Sequence, residues 1–353
     1  MKLQIYFNFN KNIFNAIAYM FTYISHLIDN VDPIIVMPYG GYANDNELHG
    51  QARVLEDEGI AEIPENTLGK RMLRSFKRFE SDEHPNMLVK VKWEGGETVL
   101  VSDREGYVYL DAKHSLKLDH PKTLWIPVTY ELMDGGKVQY RITSEIMKPS
   151  NQAEYGIISD IDETILQTGL ESFLKWRVVI NTFIKTVEER LPIEGARELY
   201  TLLHHGSRGY SSNPFFYLSN SPWNLYDYLI SFLERFHFPK GALLLRDLGI
   251  ENKRKESFLE GNKYIKISHI LETYPQLQFI LVGDMVDLDA DIYIAIAKKY
   301  PSQIKAIYMR TVKNRKKMAK IKALIEANQT APILLINHSE EAIKHARSQG
   351  WVL

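Results

Sequence analysis

Apolar and polar residues alternate with two different rhythms, and the rhythm changes near residue 150. From about residue 33 to 149 the period is close to two, in short runs such as "HGQARVLE", "NMLVKVKW", "ETVLVSD", "GYVYL", "TLWIPVTYEL" and "VQYRITSEIM". These runs are rich in Val, Thr, Tyr and Trp, and turn signals "EGG", "DREG" and "DGG" separate them, which predicts strands of a sandwich or small barrel. One helical pattern interrupts them: in "NTLGKRMLRSFKRF" Leu68, Met72, Leu73, Phe76 and Phe79 share a face, and Lys70, Arg71, Arg74, Lys77 and Arg78 lie on the other.

After residue 156 short, wholly apolar runs alternate with helical periods. The runs are "YGIIS", "FFYLS", "GALLL", "FILVG", "KAIYM" and "ILLIN"; helices are predicted near 171–189, 195–205, 222–236, 261–273, 287–299 and 339–348. Continuous apolar strands belong to a parallel sheet covered on both faces. Their alternation with helices predicts a doubly wound α/β sheet. The division expected is an N-terminal amphipathic helix (1–32), a β-rich, sandwich-like domain (33–150) and an α/β domain (151–353), with "MKPSNQAEYG" at the boundary.

Residues 13–28, "IFNAIAYMFTYISHLI", carry no formal charge. The run is short for a membrane span, which needs about 20 apolar residues. On a helix Ile13, Ile17, Met20, Ile24 and Leu27 form one stripe, so it reads as an amphipathic helix packed on its own protein, with docking at a membrane surface or a signal segment as alternatives.

Composition narrows the chemistry. The net charge of −1 argues against a protein that coats nucleic acid, and none is expected as a partner. With no cysteine in the 353 residues, disulfides, thiolate zinc sites and cysteine nucleophiles are excluded. That fits a cytoplasmic protein, with peripheral membrane contact as an added option. His204, His205, His237, His269 and His345 read as structural or exposed, because none has metal-motif spacing.

In open α/β sheets ligands bind beyond the carboxyl ends of the strands. Here those ends carry Asp160 and Asp162 ("ISDIDETI"), Ser219 and Asn220 ("YLSNSPW"), and Asp284 with Asp287, Asp289 and Asp291 behind it ("LVGDMVDLDADIY"). Lys263 and Lys266 precede the "FILVG" strand. Carboxylates, a hydroxyl and an ammonium at one edge suit Mg²⁺ and a phosphate, since Mg²⁺ takes hard oxygen ligands and one or two carboxylates.

The order Asp160-x-Asp162-x-Thr164, Ser219, Lys263, Gly283-Asp284 and Asp289 resembles the four motifs of the haloacid dehalogenase superfamily. More closely, "SDIDETI", "YLSNSPWNLYDYL", "NKYIKISHILETYP" and "EEAIKHARSQGW" resemble the catalytic domain of the actin-patch phosphatidate phosphatases and their bacterial relatives; "MPYGGYANDNELHGQARVL" and "VSDREGYVYL" resemble that family's N-terminal β region. The fold implied is a doubly wound, parallel-sheet, haloacid-dehalogenase-like domain preceded by a smaller, mostly antiparallel β domain. The activity implied is a Mg²⁺-dependent phosphomonoesterase that converts phosphatidate to diacylglycerol. Asp160 would be the nucleophile forming an aspartyl-phosphate, and Asp162 the general acid and then base. Thr164 would fix the loop, Ser219 and the Asn220 backbone would hold a phosphate oxygen, and Lys263 would neutralise charge. Asp160, the Asp162 carbonyl and Asp284 would ligate Mg²⁺, with Asp289 in the ligand set or directly behind it. Met285, Val286 and Asp287 depart from the family pattern, so the division of metal ligation among Asp284, Asp287 and Asp289 stays open. A soluble phosphomonoester is the alternative substrate, and a membrane- or protein-binding adaptor without turnover the alternative role. A second basic cluster, "RTVKNRKKMAKIK" at 310–322, adds a candidate contact with an anionic phospholipid surface.

Overall fold

The long hairpin β6 (Leu124–Asp134) and β7 (Lys137–Lys148) shows how the period-two pattern folds. Val128, Tyr130 and Leu132 alternate inward, and Gly135 and Gly136 take φ of 53° and 79° in the turn. Two successive left-handed residues make the tight turn whose twist matches the flanking strands, and glycine adopts it without a steric cost. The computed structural model describes residues 33–57, 83–114, 120–162, 164–165, 192–210, 213–246, 261–285, 289–311, 315–326 and 331–353.

Five more strands complete this first sheet: β1 (Ile34–Ala43), β2 (Glu47–Glu56), β3 (Leu88–Trp93), β4 (Gly96–Val101) and β5 (Tyr107–Lys113). Its order is β4-β3-β6-β7-β1-β2-β5. Neighbours are antiparallel except β1 and β7, which run parallel through the pair Tyr42 and Met147. The Asp103 carboxylate accepts the Glu105 and Tyr107 amides at 2.9 and 2.8 Å and turns the chain from β4 to β5, so the two edge strands lie near one another. Val36, Leu48, Val54, Val89, Val91, Val108 and Ile146 fill its core.

The second sheet is all parallel, in the order β10-β9-β8-β11-β12-β13. Its strands are β8 (Gly156–Asp160), β9 (Phe215–Pro222), β10 (Ala242–Arg246), β11 (Phe279–Asp284), β12 (Ile304–Arg310) and β13 (Ile333–Ile336). Every residue of β8 and β11 is buried, as expected of central strands covered on both faces. Helices α1 (Ala196–His205), α2 (Tyr226–Arg235) and α6 (Ser339–Ser348) pack into one apolar cluster. Helices α3 (Asn262–Thr273), α4 (Asp289–Lys299) and α5 (Arg315–Glu326) pack into the other.

The sheets share a core. Met37, Tyr39, Leu55 and Tyr107 of the first join the cluster around Trp223 and Tyr217 of the second, and Tyr39 stacks on Trp223 with centroids 4.6 Å apart. Tyr274 Oη donates to the Ala43 carbonyl at 2.9 Å, and Asn44 Nδ2 to that of Thr273 at 3.1 Å.

The fold class expected from the sequence is corrected. The molecule pairs a nearly closed, mixed, seven-stranded sheet with a separate parallel one, and among the described residues strand exceeds helix at about 43% against 27%. That is neither a clear haloacid-dehalogenase-like fold nor a small antiparallel sandwich set before one. The physical reason lies in β1. Its "MPYGGYA" breaks the period-two alternation with Pro38, Gly40 and Gly41, yet with a bulge between Pro38 and Gly41 it runs between β2 and β7, and this inserts a parallel pair and joins the hairpins into one sheet. The expected helices at 13–28, 66–79 and 171–189 lie outside the described residues. Among the described residues no helix is long and apolar enough to cross a membrane.

Candidate functional site

Three adjacent strands of the parallel sheet deliver the polar set to one edge. β8 lies between β9 and β11, with Asp160 paired to Leu218 and Ser159 to Val282. Asp160 therefore ends its strand beside the chain entering Ser219 on one side and Asp284 on the other. The backbone then turns sharply: the Thr164 and Ile165 amides both donate to the Ile161 carbonyl, at 3.3 and 2.9 Å.

Lys263, in the first turn of α3, is the centre of this set. Its Nζ donates to Asp160 Oδ1 at 2.8 Å and to Asp289 Oδ1 at 2.5 Å, and all three residues are buried. Lys266 goes elsewhere: its ammonium donates to the Leu245 carbonyl and lies 5.1 Å from the Trp223 ring centre. Ser219 Oγ donates to Asp162 Oδ2 at 2.6 Å and accepts the Ser221 amide at 2.9 Å. Asp162 and Asn220 are half-buried, and Thr164 and Asp284 are buried. Asp287 lies outside the described residues.

Electrostatics show what the site lacks. Burial pushes the Asp160 carboxyl well above the ordinary carboxylate range; Lys263 pulls it back, and Asp289, Asp162 and Asp284 push it further up. Burial disfavours the Lys263 ammonium, but Asp160 and Asp289 outweigh that and hold it above its ordinary value. Several carboxylates thus crowd one ammonium, and the site is short of positive charge. Asp289 Oδ2 and Thr164 Oγ1 are buried with no hydrogen-bond partner, a costly arrangement unless something else satisfies them. The donors are hard oxygens, which fits Mg²⁺ better than a softer metal. Among the described residues no three of these carboxylates bring ligand atoms within 4.8 Å of one another. Two carboxylates with a backbone carbonyl, completed by substrate phosphate, are the set that would hold the ion.

Sequence reading missed how Asp289 is held. Tyr293 Oη donates to the Val282 carbonyl at 3.1 Å, and a Cβ on Gly283 would come within 2.7 Å of the Tyr293 ring and 2.8 Å of Asp289 Oδ2. The signal was present in the glycine before Asp284: close side-chain approach to backbone requires glycine there.

Residues 155–311 match the model of the family described as "Phosphatidate phosphatase APP1, catalytic domain". This stretch belongs to that family. The chain is 34% identical over 160 residues to phosphatidate phosphatase APP1 of Saccharomyces cerevisiae, covering 45% of this chain and 26% of that protein. It is 27% identical over 186 residues to an uncharacterized protein of Schizosaccharomyces pombe, covering 50% of this chain and 29% of the other. The chain thus spans little more than a quarter of the length of these relatives. The haloacid dehalogenase kinship is a wider claim than this match carries. A carbohydrate acetylesterase from Xanthomonas citri aligns over 87% of this chain and 68% of its own at 8% identity and a TM-score of 0.30, which is too low to bear on the fold.

Proposed function

We propose that this chain is a phosphoric monoester hydrolase whose substrate is phosphatidate, working with Mg²⁺ through an aspartyl-phosphate on Asp160. The observation that carries the reading is the buried Asp160–Lys263–Asp289 arrangement within a stretch of the APP1 catalytic-domain family. Bound Mg²⁺ would draw charge from the phosphate oxygens and align the phosphoryl group. An Asp160 oxygen attacks phosphorus as the ester P–O bond breaks, and the departing diacylglycerol oxygen takes a proton from Asp162. Asp162, now a carboxylate, removes a proton from water; the hydroxide attacks phosphorus, the Asp160–phosphate bond breaks, and inorganic phosphate leaves. Ser219 supports this exchange by fixing the Asp162 carboxylate through its hydroxyl. Lys263 carries the positive charge that faces the developing phosphoryl charge, and Asp289 holds the ammonium in place.

The proposal includes peripheral contact of a cytoplasmic enzyme with an anionic membrane and no nucleic-acid partner. Its support is the uncharged amphipathic run at 13–28 and the basic positions at 70–78 and 310–322 in the sequence. The test is phosphate release from phosphatidate in vesicles and from soluble monoesters, with Mg²⁺ and with chelator. Release from phosphatidate that needs Mg²⁺ is expected. Faster turnover of soluble monoesters would move the substrate to that class, and no release from any ester would favour an adaptor without turnover.

A further inference from the structure

Away from the acids, the two sheets meet at another cluster of metal-competent side chains. His49 lies on β2, Asp111 on β5 and His269 on α3. Each offers one ligand atom, and these atoms lie within 4.8 Å of one another. Two of the three residues come from the mixed sheet and the third from the helix that carries Lys263.

The details favour an ion over a chance meeting of polar groups. The imidazoles of His49 and His269 meet edge to face with centroids 4.6 Å apart, an approach that no hydrogen bond between them explains. His49 Nδ1 is engaged by Asp111 Oδ1 at 2.8 Å, while His49 Nε2 is buried without a hydrogen-bond partner and lies 3.6 Å from Glu47 Oε2. On the other ring, Tyr42 Oη lies 2.5 Å from His269 Nδ1. For Nε2 to take a ligand, Nδ1 carries the ring proton and donates it to the Tyr42 oxygen. That leaves His269 Nε2 as the nitrogen for a ligand, oriented by an oxygen partner on the opposite side, the arrangement common around metal-binding histidines.

Two imidazoles with a carboxylate differ in kind from the all-oxygen acid site. Such a set selects a borderline divalent cation of the Zn²⁺ class over Mg²⁺. We propose that His49, Asp111 and His269 form a site for a Zn²⁺-class cation that clips the mixed sheet to α3, with Glu47 or water completing the coordination. An ion bound only by the folded chain stabilises it by mass action.

The test is calorimetric titration of Zn²⁺ into the full chain with Mg²⁺ in excess, so that the oxygen-only site is already filled. One Zn²⁺ per chain is expected, with affinity lowered about tenfold or more in His269→Ala and in Asp111→Asn. Asp111 is exposed, so the second variant keeps the test valid even if the first folds poorly. Added Zn²⁺ should raise the Tm of the wild type and leave that of His269→Ala unmoved, while Asp160→Asn should bind Zn²⁺ like the wild type. Absence of Zn²⁺ binding in the wild type, or equal binding by both variants, overturns the site. Loss of binding in Asp160→Asn would place the ion at the acids and overturn it as well.

Discussion

At the scale of single residues, Asp160 and Asp162 divide the proposed chemistry, and their variants should fail differently. Asp160→Asn should lower turnover by about a thousandfold or more while far-UV circular dichroism stays unchanged, because the nucleophile is lost and the amide fits the same space. A folded variant within tenfold of wild type would remove the nucleophile assignment. Asp162→Asn should be severe for alkyl phosphates and milder for aryl phosphates, whose leaving groups need no proton. Equal losses on both would count against its acid role. Gly283→Ala tests the support of the site. The added methyl meets Tyr293 and Asp289 Oδ2 inside van der Waals distance, and overpacking of this kind costs about 1–3 kcal/mol. With Asp289 displaced from Lys263, activity should fall by about tenfold or more. Unchanged activity would show that Asp289 can move freely, contrary to its clamp role.

Among the elements, α1 gives a test of acid stability. His204 near its C-terminus donates from Nδ1 to the Asn213 carbonyl at 2.7 Å, and Asn213 Oδ1 accepts the Glu154 amide at 2.8 Å, which ties α1 to the start of β8. Burial lowers the His204 pKa below its ordinary 6.5; the Asn213 hydrogen bond works against that. The native state therefore favours the neutral ring. Its stability contribution is complete above pH 6.5 and is lost as pH falls through the lowered folded value. Urea midpoints on either side of pH 6.5 should show an acid loss that is smaller in His204→Gln than in wild type. An equal loss in both would remove His204 from the effect. Much at this scale was legible in the sequence. The wholly apolar runs gave every strand of the parallel sheet, and helices such as 339–348 followed from their periodicity, because burial on both faces forces the pattern. β1 was missing from the period-two runs, since Pro38, Gly40 and Gly41 interrupt the alternation, and pairing with β2 on one side and β7 on the other makes the segment strand. The acids were readable because one strand end places them within a few residues. The approach of His49 to His269 has no local signature, for it exists only once the two sheets pack.

Across the whole molecule, the shared core sets how it unfolds. Trp223 is 1% exposed and stacks on Tyr39 of the other sheet, so Trp223→Ala should cost about 3–5 kcal/mol. Calorimetry of the wild type should give one transition, with equal calorimetric and van't Hoff enthalpies. Two resolved peaks would show that the sheets unfold separately and that the common cluster contributes little. The same connectivity constrains synthesis on the ribosome. β1 emerges early, but its parallel neighbour β7 ends at Lys148, and the Tyr39 ring must wait for Trp223. The nascent amino-terminal half can therefore close its own sheet only once β7 is out, and the face that carries Met37, Tyr39 and Tyr107 stays unburied until the later half is made. Long-range pairing of this kind slows folding and exposes the chain to aggregation. Refolding from denaturant should be slow and should lose yield as protein concentration rises, which makes this a chain whose production depends on chaperone capacity and growth temperature.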